Sequence, residues 1–187
     1  MNDAGLTSSL LVAMPQLQDP NFCRTVLLMI EHERSASFGL VLNRPAELRL
    51  SDVFSSLQSE WHGDPGATVA WGGPVEPGSG WMLLGDSPSL SFDEDQTNSV
   101  LEGVRFGGSM DVFKRVAEAP PAALRFFLGY SGWGPGQLEF EIAQGAWLSA
   151  EAAPEIIFEV PAEEMWEHVV RGMGIEPSSL VSTTGVH

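Results

Sequence analysis

Asp19, Arg24, Asn43, Arg44, Gln137, Glu139 and Glu141 lie in or beside stretches rich in glycine and proline, and a cleft lined by them could hold a small polar or anionic ligand. The two arginines bring positive charge. Asp19, Asn43 and Gln137 bring hydrogen-bonding groups, and the two glutamates are carboxylates of the kind that serve as general bases. Gly72, Gly73, Gly132 and Gly136 add bare backbone that a ligand or a second chain segment can approach. Trp133 could stack on a ligand among them, or plug the space the glycines leave. The competing reading is turn chemistry, with Asp19 and Asn43 satisfying loop backbone and an arginine pairing with a glutamate. Cys23 beside Arg24 raises the idea of an activated thiolate, but a nucleophile also needs a base and an orienting group. The sequence places neither, so a buried, inert thiol is expected. Glu31-His32 looks like a metal pair, yet neighbours on a strand face opposite sides, and His62, His168 and His187 follow no ligand spacing. No G-x-S-x-G, P-loop or H-E-x-x-H run occurs, so no catalytic residue, metal or cofactor is assigned.

The elements that must position these groups centre on residues 124–147. Leu124, Phe126 and Leu128 alternate as on a strand with one buried face. Gly129, Gly132, Gly134 and Gly136 then read as a glycine-rich turn, and from Gln137 the residues Leu138, Ile142 and Ala146 recur at helical spacing. Glu139 and Glu141 fall near the positive N-terminal end of that helix. Strand, turn and helix in this order point backbone N–H groups into a concavity able to cradle an oxyanion or a carboxylate. On this reading, Gly132 and Gly136 are where a β-branched side chain does most harm. An enzymatic alternative uses the same parts: hydrolysis of a small anionic substrate, with Glu139 or Glu141 as base and the 132–136 backbone as oxyanion donor.

Around that centre, residues 10–14, 25–31, 38–42, 68–71, 81–84, 104–106, 147–148 and 156–160 read as strands. Residues 25–31 and 38–42 form a hairpin whose ladder Pro45 ends, and 81–84 answers 68–71 across a tight loop. Helices are expected to start near Ser51, at Ser109 and at Pro161. Residues 87–98 read as a surface excursion, and residues 1–8 and 176–187 as flexible ends. Paired strands interrupted by helices favour a single α+β domain over residues 1–187, with a mixed, mostly antiparallel sheet. A length of 187 residues, 43% apolar and 18% charged, is what one soluble domain with a sizeable core needs. Nine basic against twenty-five acidic side chains, a formal charge of −16, handicap contact with a phosphate backbone, so direct nucleic-acid binding is not expected. A single cysteine excludes an intrachain disulfide. With no export signal and no membrane-length apolar run, it predicts a cytoplasmic protein without membrane contact. The sequence sets no oligomeric state.

Three clusters stand in order along the chain: AMPQLQDPNF at residues 13–22 with GLVLNRP at 39–45, GGPV at 72–75, and GYSGWGPGQLEFEI at 129–142. Their wording and spacing resemble the bacterial YqgE/AlgH family, also called UPF0301 or DUF179, over nearly the whole chain. The resemblance implies a compact α+β fold with a small, closed β-barrel-like core flanked by helices. It implies no settled activity. The family's label comes from a proposed regulatory role in alginate production, which makes a transcription regulator acting through DNA or through a protein partner a further reading. The charge, and a helix after Ser109 that carries only Lys114 and Arg115, argue against the DNA route. Residues 87–98 and 107–108 depart from the Thr/Ser-rich text that the family carries before its third helix. The reading that results is a regulatory or small-ligand-binding protein whose partner is a small anionic metabolite or another protein.

Overall fold

Leu10, Leu11 and Val12, and Val26 through Met29, have no solvent exposure at all, so these uninterrupted apolar runs form strands covered on both faces. In the computed structural model, which describes residues 5–17 and 19–181, the elements follow in this order: β1 (Ser9–Ala13), β2 (Val26–His32), β3 (Ser37–Val41), β4 (Pro45–Arg49), α1 (Leu50–Ser56), β5 (Thr68–Trp71), β6 (Val75–Gly85), β7 (Asn98–Leu101), β8 (Val104–Gly107), α2 (Met110–Glu118), β9 (Leu124–Trp133), α3 (Gln137–Ala143), β10 (Trp147–Glu151), α4 (Pro154–Phe158), α5 (Ala162–Gly172) and α6 (Pro177–Val181). The strands make one curled sheet in the order β10-β1-β2-β3-β9-β6-β8-β7, with β5 bridging β4 and β9. Among the described residues only the β5–β9 pairing is parallel. The fold is therefore α+β, as expected from the sequence. The sheet forms a half-barrel whose end strands β10 and β7 do not pair with each other. Side chains fill the opening instead: Ile157 of α4 and Met165, Val169 and Val170 of α5 join Leu10, Leu28, Leu83 and Val104 in one core cluster.

A second cluster lies on the other face, where Phe54 of α1 and Val112, Phe113 and Val116 of α2 cover Met82, Leu84 and Phe126. Ser109 caps α2 by accepting from the Val112 N–H. The third cluster sits under α3, where Leu138, Trp133 and Trp147 meet Leu11, Leu27, Met29 and Val41. Arg125 is half-buried in β9 without an ion pair among the described residues. Its guanidinium donates to the carbonyls of Leu42 (2.7 Å) and Ile157 (3.0 Å) and lies over the Phe127 ring, and burial pushes its pKa down from the usual arginine value. It ties the end of β3 and the helix α4 to the central strand. Leu180 of α6 packs on the first core cluster, and the Ser8 N–H donates to the Met29 carbonyl at the other end of the chain. The remaining terminal residues, 1–4 and 182–187, lie outside the described ones.

Several sequence expectations give way. Pro45 does not end the pairing; it opens the exposed edge strand β4, where a missing N–H is tolerated. Residues 156–158 belong to α4 and 159–160 to the turn after it, not to a strand: a short apolar run does not discriminate, and Pro154 at its first turn followed by Glu155 starts a helix. β7, short and half polar, carries too little alternation to be seen. β6 begins at Val75 rather than Trp81 and does not pair with β5. The glycine stretch after Leu128 is also not mainly a turn, because β9 runs on to Trp133 and the turn is confined to residues 134–136.

The close backbone approach lies elsewhere. A Cβ on Gly72 would stand 2.3 Å from the Gly129 carbonyl oxygen, one on Gly73 2.2 Å from the Tyr130 carbonyl, and one on Gly129 2.4 Å from the Gly73 oxygen. Gly129 also has φ +72°. Gly132, by contrast, would place a Cβ at ordinary contact distance, 3.4 Å, from the Tyr130 ring, and Gly136, at φ +71°, has open space around it. The expectation that Gly132 is the intolerant position is therefore corrected. Gly73→Ala and Gly129→Ala should each cost about 3 kcal/mol or more, since backbone must move, while Gly132→Val, on an exposed strand position, should stay within about 1 kcal/mol. Urea midpoints of the three variants check this; a Gly129→Ala protein as stable as the parent would refute it.

Candidate functional site

The residues singled out in the sequence separate into three places. Around α3, the Glu141 carboxylate accepts from both indoles of the third core cluster: Trp133 Nε1–H at 2.9 Å and Trp147 Nε1–H at 2.8 Å, both on Oε2. Its Oε1 accepts from Gln137 Nε2 at 3.1 Å. Gln137 in turn takes the Gly134 N–H on its own Oε1, also at 3.1 Å, so the turn's backbone donor is answered from within. Trp133 is buried and serves as the plug rather than as an exposed stacking face. Glu139 lies 3.2 Å from His32 Nε2, and the other ring nitrogen of His32 meets the Ser37 hydroxyl at 2.6 Å. Gly132 pairs with Phe38 inside the sheet, and Gly136, in the left-handed region, leads into α3. The second place is the backbone crossing of Gly72 and Gly73 with Gly129 described above.

The third place is a cleft of about 350 Å³ between the loop before β2, the β3–β4 connection and α5. Arg24, Asn43 and Arg44 meet there with Cys23, which is exposed and not buried as expected, because it sits in the loop before β2; the two arginines are twenty positions apart. Asn43 builds it: Oδ1 accepts from the Val26 N–H and Nδ2 donates to the Arg24 carbonyl, both at 2.9 Å. This clasp holds Arg24 at φ +50°, a conformation costly for a residue with a Cβ. The Arg24 guanidinium lies 4.7 Å over the Trp166 ring and 3.5 Å from Glu167, and Arg171 shares that carboxylate at 3.2 Å. These exposed ion pairs are worth little individually. Arg44 donates to the Cys23 carbonyl and makes no ion pair among the described residues. Asp19 stays outside the cleft lining and accepts from the Asn21 N–H, which is turn chemistry.

Comparison with known proteins places this geometry. The AlgH-like (DUF179) family model matches residues 10–178. The chain belongs to the AlgH-like family. A UPF0301 protein of Myxococcus xanthus is 42% identical over 183 residues, covering 97% of this chain and 98% of its own. One from Ralstonia nicotianae is 39% identical, covering 96% and 94%. Among solved structures, the solution structure of the AlgH protein from Pseudomonas aeruginosa superposes with a TM-score of 0.77 at 32% identity, over 100% of this chain and 98% of that one. A protein from Corynebacterium diphtheriae with 24% identity and a TM-score of 0.71, covering 89% and 86%, shares the fold.

Within this AlgH-like chain, sequence reasoning missed the α5 wall of the cleft, Glu163, Trp166 and Glu167, which lies about 120 residues beyond Arg44. The available signal was Glu163 and Glu167 one helical turn apart beside a tryptophan. It also missed that His32 contacts Ser37 and Glu139, because Glu31-His32 was weighed only as a metal pair. Among the described residues no helix is long and apolar enough to cross a membrane. Glu141→Ala leaves two buried indole N–H groups without their acceptor and should cost about 2–4 kcal/mol. Glu141→Gln, which keeps one acceptor oxygen, should cost less. Chemical denaturation followed by tryptophan fluorescence measures both, and equal stability of Glu141→Ala and the parent would remove the structural role assigned to this carboxylate.

Proposed function

We propose that the protein is a regulatory, small-ligand-binding protein, and that the cleft of Arg24, Asn43, Arg44 and Trp166 takes a small metabolite carrying a carboxylate or phosphate group. The observation that carries this reading is Arg44, a guanidinium lining a cleft of about 350 Å³ with no carboxylate paired to it among the described residues. Arg24, held at a strained backbone angle and backed by the Trp166 ring, sets a second cation beside it. Trp166 is itself fixed, since its Nε1–H donates to the buried Ala13 carbonyl at 2.9 Å. Glu163 and Glu167 on the opposite wall bring the charge of the lining close to balance, so a monoanion or a zwitterion suits the cleft better than a polyanion. Binding, not turnover, is the output at this cleft, because its lining holds no paired nucleophile and base. The chain's formal charge of −16 works against a phosphate backbone, so a regulatory effect would run through the bound metabolite or a protein partner.

Thermal-shift screening against small carboxylates and inorganic phosphate tests this. At least one monoanion should raise the unfolding midpoint at millimolar concentration, and the rise should vanish in Arg44→Ala while that variant's own midpoint stays within a few degrees of the parent. A panel that moves neither protein, or that moves both equally, would sink the assignment.

A further inference from the structure

Two further clefts lie apart from the one around Arg44 and share no residue with it. The first, of about 380 Å³ where β2 turns into β3, is lined by Phe38 and Tyr130 and carries Glu31 and Glu33. Both carboxylates are exposed, ordinary solvated surface that assigns this cleft no occupant. The second, of about 480 Å³, opens between α1 and α2 over the face of the second core cluster. Val53 and Leu57 of α1 and Met110 and Phe113 of α2 come to it one helical turn apart, and Phe126 and Leu128 of β9 floor it. β6 supplies the remaining wall. Val75 pairs with Tyr130 and Gly80 with Leu128, so residues 76–79 stand against Gly129 alone and bulge out of the ladder. Pro77, with no N–H to donate, suits that place. Glu76 at φ +45° and the Ser79 hydroxyl, donating to the Glu76 carbonyl at 2.7 Å, hold the bulge in shape. A Cβ on Gly80 would stand 2.8 Å from the Phe126 ring and 3.4 Å from the Phe113 ring, so its absence leaves room for both rings at the cleft.

The chemistry of the occupant follows from the lining. Leu48 and Met110 are two of the three large apolar side chains exposed among the described residues, at 36% and 42%, and both stand at this cleft. A ligand that covers them removes apolar surface from water. Asp52 is the single charged side chain of the lining. It lies in the first turn of α1 but makes no side-chain cap there, and no ion pair reaches it among the described residues. Ser56, the other side chain here with a polar group, donates its hydroxyl proton to the Val53 carbonyl. An apolar recess with one unpaired carboxylate complements an apolar body that carries one positive charge. From this we propose that the cleft between α1 and α2 binds small hydrophobic amines in their protonated form. The ring or alkyl chain rests on Phe113, Phe126 and Leu128, and the ammonium group meets Asp52. The formal charge of −16 favours the approach of cations. Two exposed side chains fall far short of the roughly 20–30 residues a side of a stable protein interface, which favours a small molecule over a second chain.

The test is a titration of the full chain, followed by methyl NMR, with three probes that share one ring and spacer: phenethylamine, 2-phenylethanol and 3-phenylpropionate. The amine should saturate at millimolar concentration and move the methyl signals of Leu57, Met110 and Leu128. The alcohol should move the same signals with about three- to tenfold weaker affinity, the range an exposed ion pair supplies, and the acid should leave them in place. Asp52→Asn changes an exposed side chain that caps nothing, so its unfolding midpoint should match the parent's. In that variant the affinity for the amine should fall to that for the alcohol, and the alcohol should bind as before. Arg44→Ala should leave the amine affinity unchanged, which keeps this cleft separable from the anion site whatever becomes of that assignment. No shift at these methyls with the amine, equal affinity for amine and alcohol, or an amine affinity untouched by Asp52→Asn overturns the proposal. So does a set of methyl signals that moves with protein concentration alone, since a second copy of the chain would then be the occupant.

Discussion

The chain must cross its own central strand, and three glycines make that crossing possible. On one edge, β9 pairs with β5 through Phe127 and Leu128 and with β3 through residues 131–133; on the other edge it pairs with β6. β5 and β6 are consecutive in sequence yet lie on opposite edges of β9, so residues 72–74 pass over its backbone. Gly72, Gly73 and Gly129 lie at that passage, each within 2.4 Å of where a Cβ would strike the other segment's carbonyl group. The same passage is hydrogen-bonded: Gly72 N–H donates to the Leu128 carbonyl at 2.8 Å, and the Gly72 carbonyl accepts from Val41 N–H at 2.9 Å and from the Ser131 hydroxyl at 3.2 Å. A β5–β6 hairpin would need no crossing, but would leave the parallel edge of β9 unpaired and the second core cluster open.

This constraint decides what could be read from the sequence. Elements with a single strong signal were legible: the buried runs of β1, β2 and β3, the Ser109 cap of α2, the Pro161 start of α5, and the wording of three clusters that identifies the family. Topology was not. The parallel β5–β9 pair depends on a crossover that no local pattern marks, and GGP at residues 72–74 looks the same whether it closes a hairpin or climbs over a strand. Gly132 shows the limit from the other side. It lies in a glycine-dense stretch, and only the three-dimensional environment reveals that a Cβ would fit there.

For the candidate sites, sequence proximity misled and hydrogen-bonding capacity informs. Gln137 and Glu141 stand within a few residues of the glycine turn and suggested a cradle for a ligand. In the structure their polar atoms are engaged with each other, the turn and two indoles. Glu141 thereby satisfies two N–H groups that α3 and β10 would otherwise bury unpaired, which is how a seven-residue helix can be fixed on the sheet with one fully buried anchor, Leu138. Asn43 is likewise consumed, but in making a cleft rather than in filling one: its amide locks residues 24 and 26 and leaves Arg44 at the rim. That half of the site was legible as residue types in two clusters, and the α5 wall was not, since contact between residues so far apart in sequence leaves no trace in either segment.

The distribution of charge sharpens the contrast between two of the clefts. A chain with nine basic and twenty-five acidic side chains carries a negative field over most of its surface, and a small anion meets an attractive region only where guanidinium groups gather. Arg24 and Arg44 gather at one cleft, with Arg171 close behind through Glu167. The cleft of Phe38 and Tyr130 sits within the prevailing sign, between Glu31 and Glu33. Electrostatics therefore lets the first, where Glu163 and Glu167 balance the two guanidinium groups, admit a monoanion or a zwitterion, and turns anions away from the second. The half-barrel keeps the two apart by placing them on different parts of its strands: one at the start of β2 beside α5, the other where β2 turns into β3 beside the end of β9. A ligand at the first would load the β3–β4 connection, whose Leu42 carbonyl is held by Arg125 of β9, the strand that also pairs Trp133 with Ser37. The central strand is thus linked to the first place through Leu42 and lines the second through Tyr130 and Trp133.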